Sequence, residues 1–156
     1  MAWHDEAATR SFAQALARQP ALRGALITLH GDLGTGKTTF VRHLLASLGV
    51  QGRIKSPTYA VVEPYTVGAS SLDTSHNPES SIWHLDFYRF DDPQEWEEAG
   101  FRDIFASAGL KLVEWPEKAA GHLPPPDLAI AIDMLPDESR GITLMAYSPT
   151  GAELLT

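Results

Sequence analysis

The short apolar run Ala25 to Leu29 leads into Gly31-Asp32-Leu33-Gly34-Thr35-Gly36-Lys37-Thr38, and from Lys37 onward Val41, Leu44, Leu45 and Leu48 recur at helical spacing until Gly49. Every fixed position of the phosphate-binding loop is filled: Gly, four residues, Gly, Lys, Ser or Thr. Each fixed residue type has a physical task. The glycines let successive backbone N–H groups converge on phosphate oxygens, and the helix that starts near Lys37 adds the positive end of its dipole. Lys37 brings a mobile point charge to the outer phosphates, and Thr38 offers a hydroxyl to Mg²⁺. The plain alternative is a Gly-rich turn joining a strand to a helix. A strand directly before and an apolar-striped helix directly after favour the phosphate site.

The remaining pattern supplies the scaffold. Ala8, Phe12, Ala15 and Leu16 lie at offsets that predict one face of a helix over Glu6 to Arg18, stopped near Pro20. Tyr59 to Val67 predicts a strand, and Pro64 within it suits an edge or a bulge. Gly68 to Ser81 is rich in serine without hydrophobic period and is expected to be a mobile surface loop. Ile82 to Phe87 and Leu110 to Glu114 are further apolar runs, each bringing a carboxylate to its C-terminal end, Asp86 and Glu114. Asp92, Pro93 and Glu95 form a helix-start signal. The acids between Asp91 and Asp103 read as a solvated helix face. After Pro124 to Pro126, Leu128 to Leu135 and Ile142 to Tyr147 predict a closing antiparallel pair. Strands alternating with helices define an α/β P-loop fold: a mixed, mostly parallel sheet flanked by helices, with antiparallel strands at the C-terminal end.

Composition narrows the function classes. At 156 residues, one domain over 1–156 is expected. A net charge of −8 argues against holding a nucleic-acid backbone unaided, DNA included, because that affinity comes mainly from basic side chains. The absence of cysteine removes disulfides, thiolate metal sites and a cysteine nucleophile, and fits a reducing cytoplasm. No apolar stretch approaches the roughly 18 residues of a membrane span. A magnesium nucleotide site needs a carboxylate from a neighbouring strand, and both Asp86 and Glu114 qualify. Asn77 is the only asparagine, so no Asn-Lys-x-Asp guanine-reading segment exists and adenine is the expected base. His84 has no second histidine at metal-ligand spacing, which points to a strand histidine with a satisfied hydrogen bond.

Four blocks carry a resemblance: the loop continued to Thr39, then Ser56-Pro57-Thr58-Tyr59, then His84-Leu85-Asp86-Phe87-Tyr88-Arg89, then Glu114-Trp115-Pro116-Glu117-Lys118. In this order they resemble the TsaE family, formerly YjeE. The resemblance implies a small bacterial ATPase working with TsaB and TsaD proteins in making threonylcarbamoyladenosine in tRNA, with the transfer site on TsaD and direct tRNA contact left open. It implies ATP and Mg²⁺ as cofactors. Asp32, Leu33, Gly34, Thr35, Gly36, Lys37, Thr38 and Thr39 would line the nucleotide, and Thr9 and Arg140 its base end. Thr38 and Glu114 would approach the metal. Asp86 would orient or deprotonate the attacking water beside Lys37, an exchange of roles with Glu114 being the second choice. Thr58 falls in a switch-like segment, although a residue merely opening a strand fits equally. Trp115 suits a docking aromatic or a core residue, and Arg89 is the internal candidate for extra charge. The segment from Gly68 to Ser81 is longer than the tight connection usual in the family. A small-molecule kinase on the same fold, and a nucleotide-gated binding module with negligible turnover, are the competing readings.

Overall fold

The computed structural model describes residues 1–50, 62–66, 81–90, 100–119 and 121–155. In chain order the elements are β1 (Ala2–Trp3), α1 (Glu6–Ala17), a 3-10 turn (Pro20–Gly24), β2 (Leu26–His30), α2 (Lys37–Ser47), β3 (Val62–Thr66) and β4 (Ser81–Asp86). They continue with α3 (Phe101–Ala106), β5 (Leu110–Glu114), a 3-10 turn (Pro116–Ala119), β6 (Leu128–Met134), β7 (Arg140–Ala146) and α4 (Pro149–Leu154). Thr58, the start of the 59–67 strand, residues 68–80 of the expected loop and the Asp92 helix start lie outside the described residues. Ser81, expected in that loop, opens β4 instead.

The strands form one sheet in the order β1-β7-β6-β2-β5-β4-β3. Among the described residues, parallel pairing is confined to the four inner strands β6, β2, β5 and β4. Antiparallel pairs close both sides, β6 with β7 and β7 with β1 at one, β4 with β3 at the other, so antiparallel pairing is not restricted to the C-terminal end. Pro64 lies on the edge strand β3, where its missing N–H interrupts no second ladder. β2 runs down the middle, and the loop that follows it therefore emerges between its two parallel neighbours, where α/β sheets bind ligands.

Strand alternation decides which side chains reach the site. On one face Ile27, Leu29, Ile82, Leu110, Leu112, Ile130 and Ile132 pack against Ala13 and Leu16 of α1 and Phe40, Val41, Leu44 and Leu45 of α2. Leu26, Leu85 and Val113 face the other way, into a smaller cluster with Phe87, Phe90 and Phe101. With a period of two, Ile82, His84 and Asp86 share the α2 face, as do Leu110, Leu112 and Glu114. The apolar runs thus end in carboxylates on the side of the sheet where α2 begins.

Asp5 caps α1 by accepting a hydrogen bond from the Ala8 amide at 2.8 Å. The buried stripe of α1 is Thr9, Ala13 and Leu16, with Ala8 and Phe12 half-buried; Ala15, expected on that face, is exposed. β1 and α4 have no strong sequence signal. β1 persists through Trp3, which stacks on Phe40 with ring centres 5.6 Å apart and pairs in register with Arg140. Ser148 caps α4 and bonds to Asp127 at 2.6 Å, closing the helix against the start of β6.

Candidate nucleotide site

Beyond His30 the chain turns through Gly31 (φ 148°), Gly34 (φ 83°) and Gly36 (φ 105°). The Thr35 hydroxyl donates to the Asp32 carbonyl at 3.0 Å, closing the turn from inside. Gly36 is the N-cap of α2 and has no side chain to cap it, so the first-turn N–H groups of α2 keep no side-chain acceptor from that position. Those donors and the helix dipole make a ready anion site. Leu33 is 71% exposed, so any part it takes in the loop falls to its backbone.

Lys37 is only 5% exposed. Its ammonium donates to the Gly31 carbonyl and sits 3.6 Å above the centre of the Trp115 ring. Burial pushes its pKa down, against the opposing pull of Glu114, Glu117, Asp86 and Asp32. The Thr38 hydroxyl donates to Glu114 Oε1 at 2.9 Å, while Glu114 Oε2 lies 2.5 Å from His84 Nε2. Asp86 stands beside Glu114 in the parallel register and accepts from the Tyr88 amide at 2.9 Å. Trp115 takes a left-handed backbone at φ 55°, directly after Glu114, and rests against Tyr88 with ring centres 5.0 Å apart. Neither carboxylate is a solvated strand end: Glu114 is 2% and Asp86 7% exposed.

Burial raises the Asp86 pKa; the Tyr88 amide partly offsets this, and the neighbouring charge of Glu114 adds to it. A raised carboxyl pKa carries a stability consequence of definite sign. Below the ordinary carboxylate range, about pH 3.9, Asp86 is protonated folded or unfolded and costs nothing. As pH climbs through the raised native pKa, the folded state must ionise a buried group, and stability falls. Asp86→Asn therefore raises the thermal midpoint of the nucleotide-free protein at neutral pH, and the gain disappears in acid. A calorimetric melt at both pH values checks this; a lower midpoint at neutral pH would show that the charge stabilises the fold.

Two hollows flank the loop. One of about 410 Å³ is lined by Lys37, Thr38, Asp86, Glu114 and Trp115. The other, about 300 Å³, lies between Trp3, Asp5, Thr9, Thr35, Glu138 and Arg140. Gly36 and Thr39 border both. Arg140 donates from Nε to the Thr35 carbonyl at 2.8 Å and from Nη1 to the Glu138 carbonyl at 2.6 Å, tying the hairpin of β6 and β7 to the loop. Thr9, on the buried stripe of α1, completes that second hollow. Arg89 is exposed beyond β4. The sequence did not single out Glu117, whose charge acts on Lys37, nor the reach of His84 to Glu114; alternation along β4 was the available signal for the latter.

The oxygen donors suit a hard divalent cation. Thr38 and Glu114 bring a hydroxyl and a carboxylate to one point, with Asp86 adjacent. Among the described residues no group of three His, Asp or Glu forms a metal cage.

A parallel inner sheet, a Gly-Lys-Thr loop after its central strand and carboxylates ending the next two strands of the sheet, β5 and β4, define a P-loop α/β protein. The family model described as threonylcarbamoyl adenosine biosynthesis protein TsaE matches residues 3–142, and the chain belongs to the TsaE family. It is 37% identical over 147 residues to the Haemophilus influenzae protein named tRNA threonylcarbamoyladenosine biosynthesis protein TsaE, covering 94% of this chain and 86% of that one. The protein of the same name from Bacillus subtilis is 36% identical over 123 residues, 79% of this chain and 70% of its own. Among solved structures, Bacillus subtilis YdiB superposes with a TM-score of 0.73 at 26% identity, covering 99% of this chain and 89% of YdiB. No helix among the described residues is long and apolar enough to cross a membrane.

Proposed function

We propose that this chain is a magnesium-dependent ATPase of tRNA threonylcarbamoyladenosine synthesis, acting in the cytoplasm as one domain that works with TsaB and TsaD proteins. The pathway follows from the names that the relatives carry. The chemistry rests on one observation above the others: the Thr38 hydroxyl meets Glu114 beside the Lys37 ammonium, at the head of the central strand.

In this reading the first-turn amides of α2 bind the phosphates, and Lys37 leaves the Gly31 carbonyl to meet their outer oxygens. Thr38 and Glu114 would hold magnesium, which would supply positive charge beside the phosphates. Asp86 has no bond to Thr38 and a raised pKa, which suits a group that orients water and accepts its proton during in-line attack. The hollow at Thr9 and Arg140 takes the adenine end, and Thr39 and Gly36 lie between base and phosphates. Trp115 covers Lys37 and so serves the site itself before any docking role. Thr58 remains assigned as a switch contact by resemblance alone.

Phosphate release from ATP and Mg²⁺, with and without TsaB and TsaD proteins, tests the reading. Release that rises with the partners and vanishes in EDTA is expected. Stoichiometric ATP binding with no phosphate released even in the full mixture would replace the ATPase with a nucleotide-gated binding module.

A further inference from the structure

We propose that His84 is a positioning residue that fixes the Glu114 carboxylate for magnesium. The parallel register sets His84 opposite Leu112 and Asp86 opposite Glu114, so the imidazole lies one step back from Asp86 and reaches diagonally to the neighbouring strand. Nε2 stands 2.5 Å from Glu114 Oε2, with the histidine 0% and the glutamate 2% exposed. The second carboxylate oxygen receives the Thr38 hydroxyl at 2.9 Å. Glu114 is thus held at both oxygens, from behind by His84 and from the front by the first turn of α2. Two directional bonds remove the rotamer freedom that an unheld glutamate would lose only when an ion bound.

The surroundings of His84 argue against a packing role. Ile82, Leu110 and Leu112 occupy the same face, where an aliphatic side chain would fit without a polar atom. Among the described residues the one hydrogen-bond partner of the buried imidazole is Glu114, on Nε2. With Glu114 ionised, a carboxylate that only accepts, the contact is made by the Nε2–H of His84 donating to Oε2.

This inference rests on the reading that Glu114 meets magnesium, and the experiment separates the two. Binding of a non-hydrolysable ATP analogue is measured by calorimetry in EDTA and across a magnesium titration for wild type, His84→Gln and His84→Leu. In EDTA all three are expected to bind alike. The magnesium needed for half-maximal tightening should rise about tenfold or more in His84→Leu, and less in His84→Gln, whose amide retains a donor. An unchanged magnesium requirement in both variants overturns the proposal, as does an affinity loss of equal size with and without magnesium. A wild type indifferent to magnesium overturns the metal reading and this inference with it. If His84→Leu does not fold, His84→Gln and the imidazole NMR spectrum of the wild type decide. A slowly exchanging Nε2 proton supports the proposal, and a proton on Nδ1 with bare Nε2 overturns it.

Discussion

Lys37→Ala is expected to fold with near-normal stability and to release phosphate from ATP at least about a hundredfold more slowly than wild type. The two halves of that expectation have different causes. In the fold, Lys37 is a buried ammonium whose pKa burial pushes down, held by one carbonyl and the Trp115 ring. Its removal takes away the carbonyl and ring contacts and the attraction of Glu114, Glu117, Asp86 and Asp32, and with them a charge that burial opposes more strongly, so the two effects offset and the net change should be about 1 kcal/mol. In the proposed reaction, the same ammonium lines the hollow assigned to the phosphates, and loss of one group aimed at developing charge costs on the order of 10²–10³ in rate. Lys37→Arg should be nearly as slow, because a planar fork does not replace a compact point charge under an indole ring. Urea unfolding and phosphate release on the same preparations check both halves. A Lys37→Ala protein that is folded and hydrolyses ATP normally would remove Lys37 from the chemistry.

Much of this site is legible in the chain because each ingredient is local. The loop is a contiguous segment, and its neighbours on both sides carry the period of a strand and then of a helix. Asp86 and Glu114 are visible as the terminal residues of two apolar runs, and alternation alone assigns each to the face of its own strand. What no local pattern contains is adjacency. That β4 and β5 lie side by side, in a register that sets Asp86 next to Glu114, depends on packing of the whole sheet. The different roles proposed for the two acids rest on partners that no local pattern contains, one bonding to Thr38 and the other to the Tyr88 amide. His84 illustrates the same limit. Its spacing from Asp86 announces a shared face, but its contact crosses strands. β1 escapes sequence reading because a two-residue strand has no period, and it is held by the stacking of Trp3 on Phe40. Ala15 misleads in the other direction: alanine suits a helix on either face, so its place in a periodic set is weak information.

Gly31→Ala should be the most damaging small substitution in the loop, and the comparison with Gly34→Ala shows why a glycine is required at one position for space and at the other only for backbone angle. Both residues have positive φ, at 148° and 83°. At Gly34 an added Cβ would meet nothing within 4 Å, so the substitution costs only the left-handed strain of an L-residue, about 1 kcal/mol. At Gly31 the Cβ would lie 2.4 Å from the Ile132 carbonyl oxygen and 2.8 Å from the Thr35 hydroxyl. The carbonyl belongs to Ile132 of β6, which is paired with Ile142 of β7 one residue past the end of the β6–β2 pairing, and its backbone cannot recede without disturbing that ladder. The loop must move instead, and it carries with it the Gly31 carbonyl that holds Lys37 and the Thr35 hydroxyl that closes the turn onto Asp32. A stability loss of about 2–3 kcal/mol is expected, beyond that of Gly34→Ala. ATP binding should fail even at temperatures where the variant is fully folded. Urea midpoints with unchanged slopes measure the first effect, and calorimetric titration of the folded variant measures the second. If the two alanine variants lose equal stability, the close approach of the loop to β6 is not what demands glycine at position 31, and the backbone angle alone accounts for both.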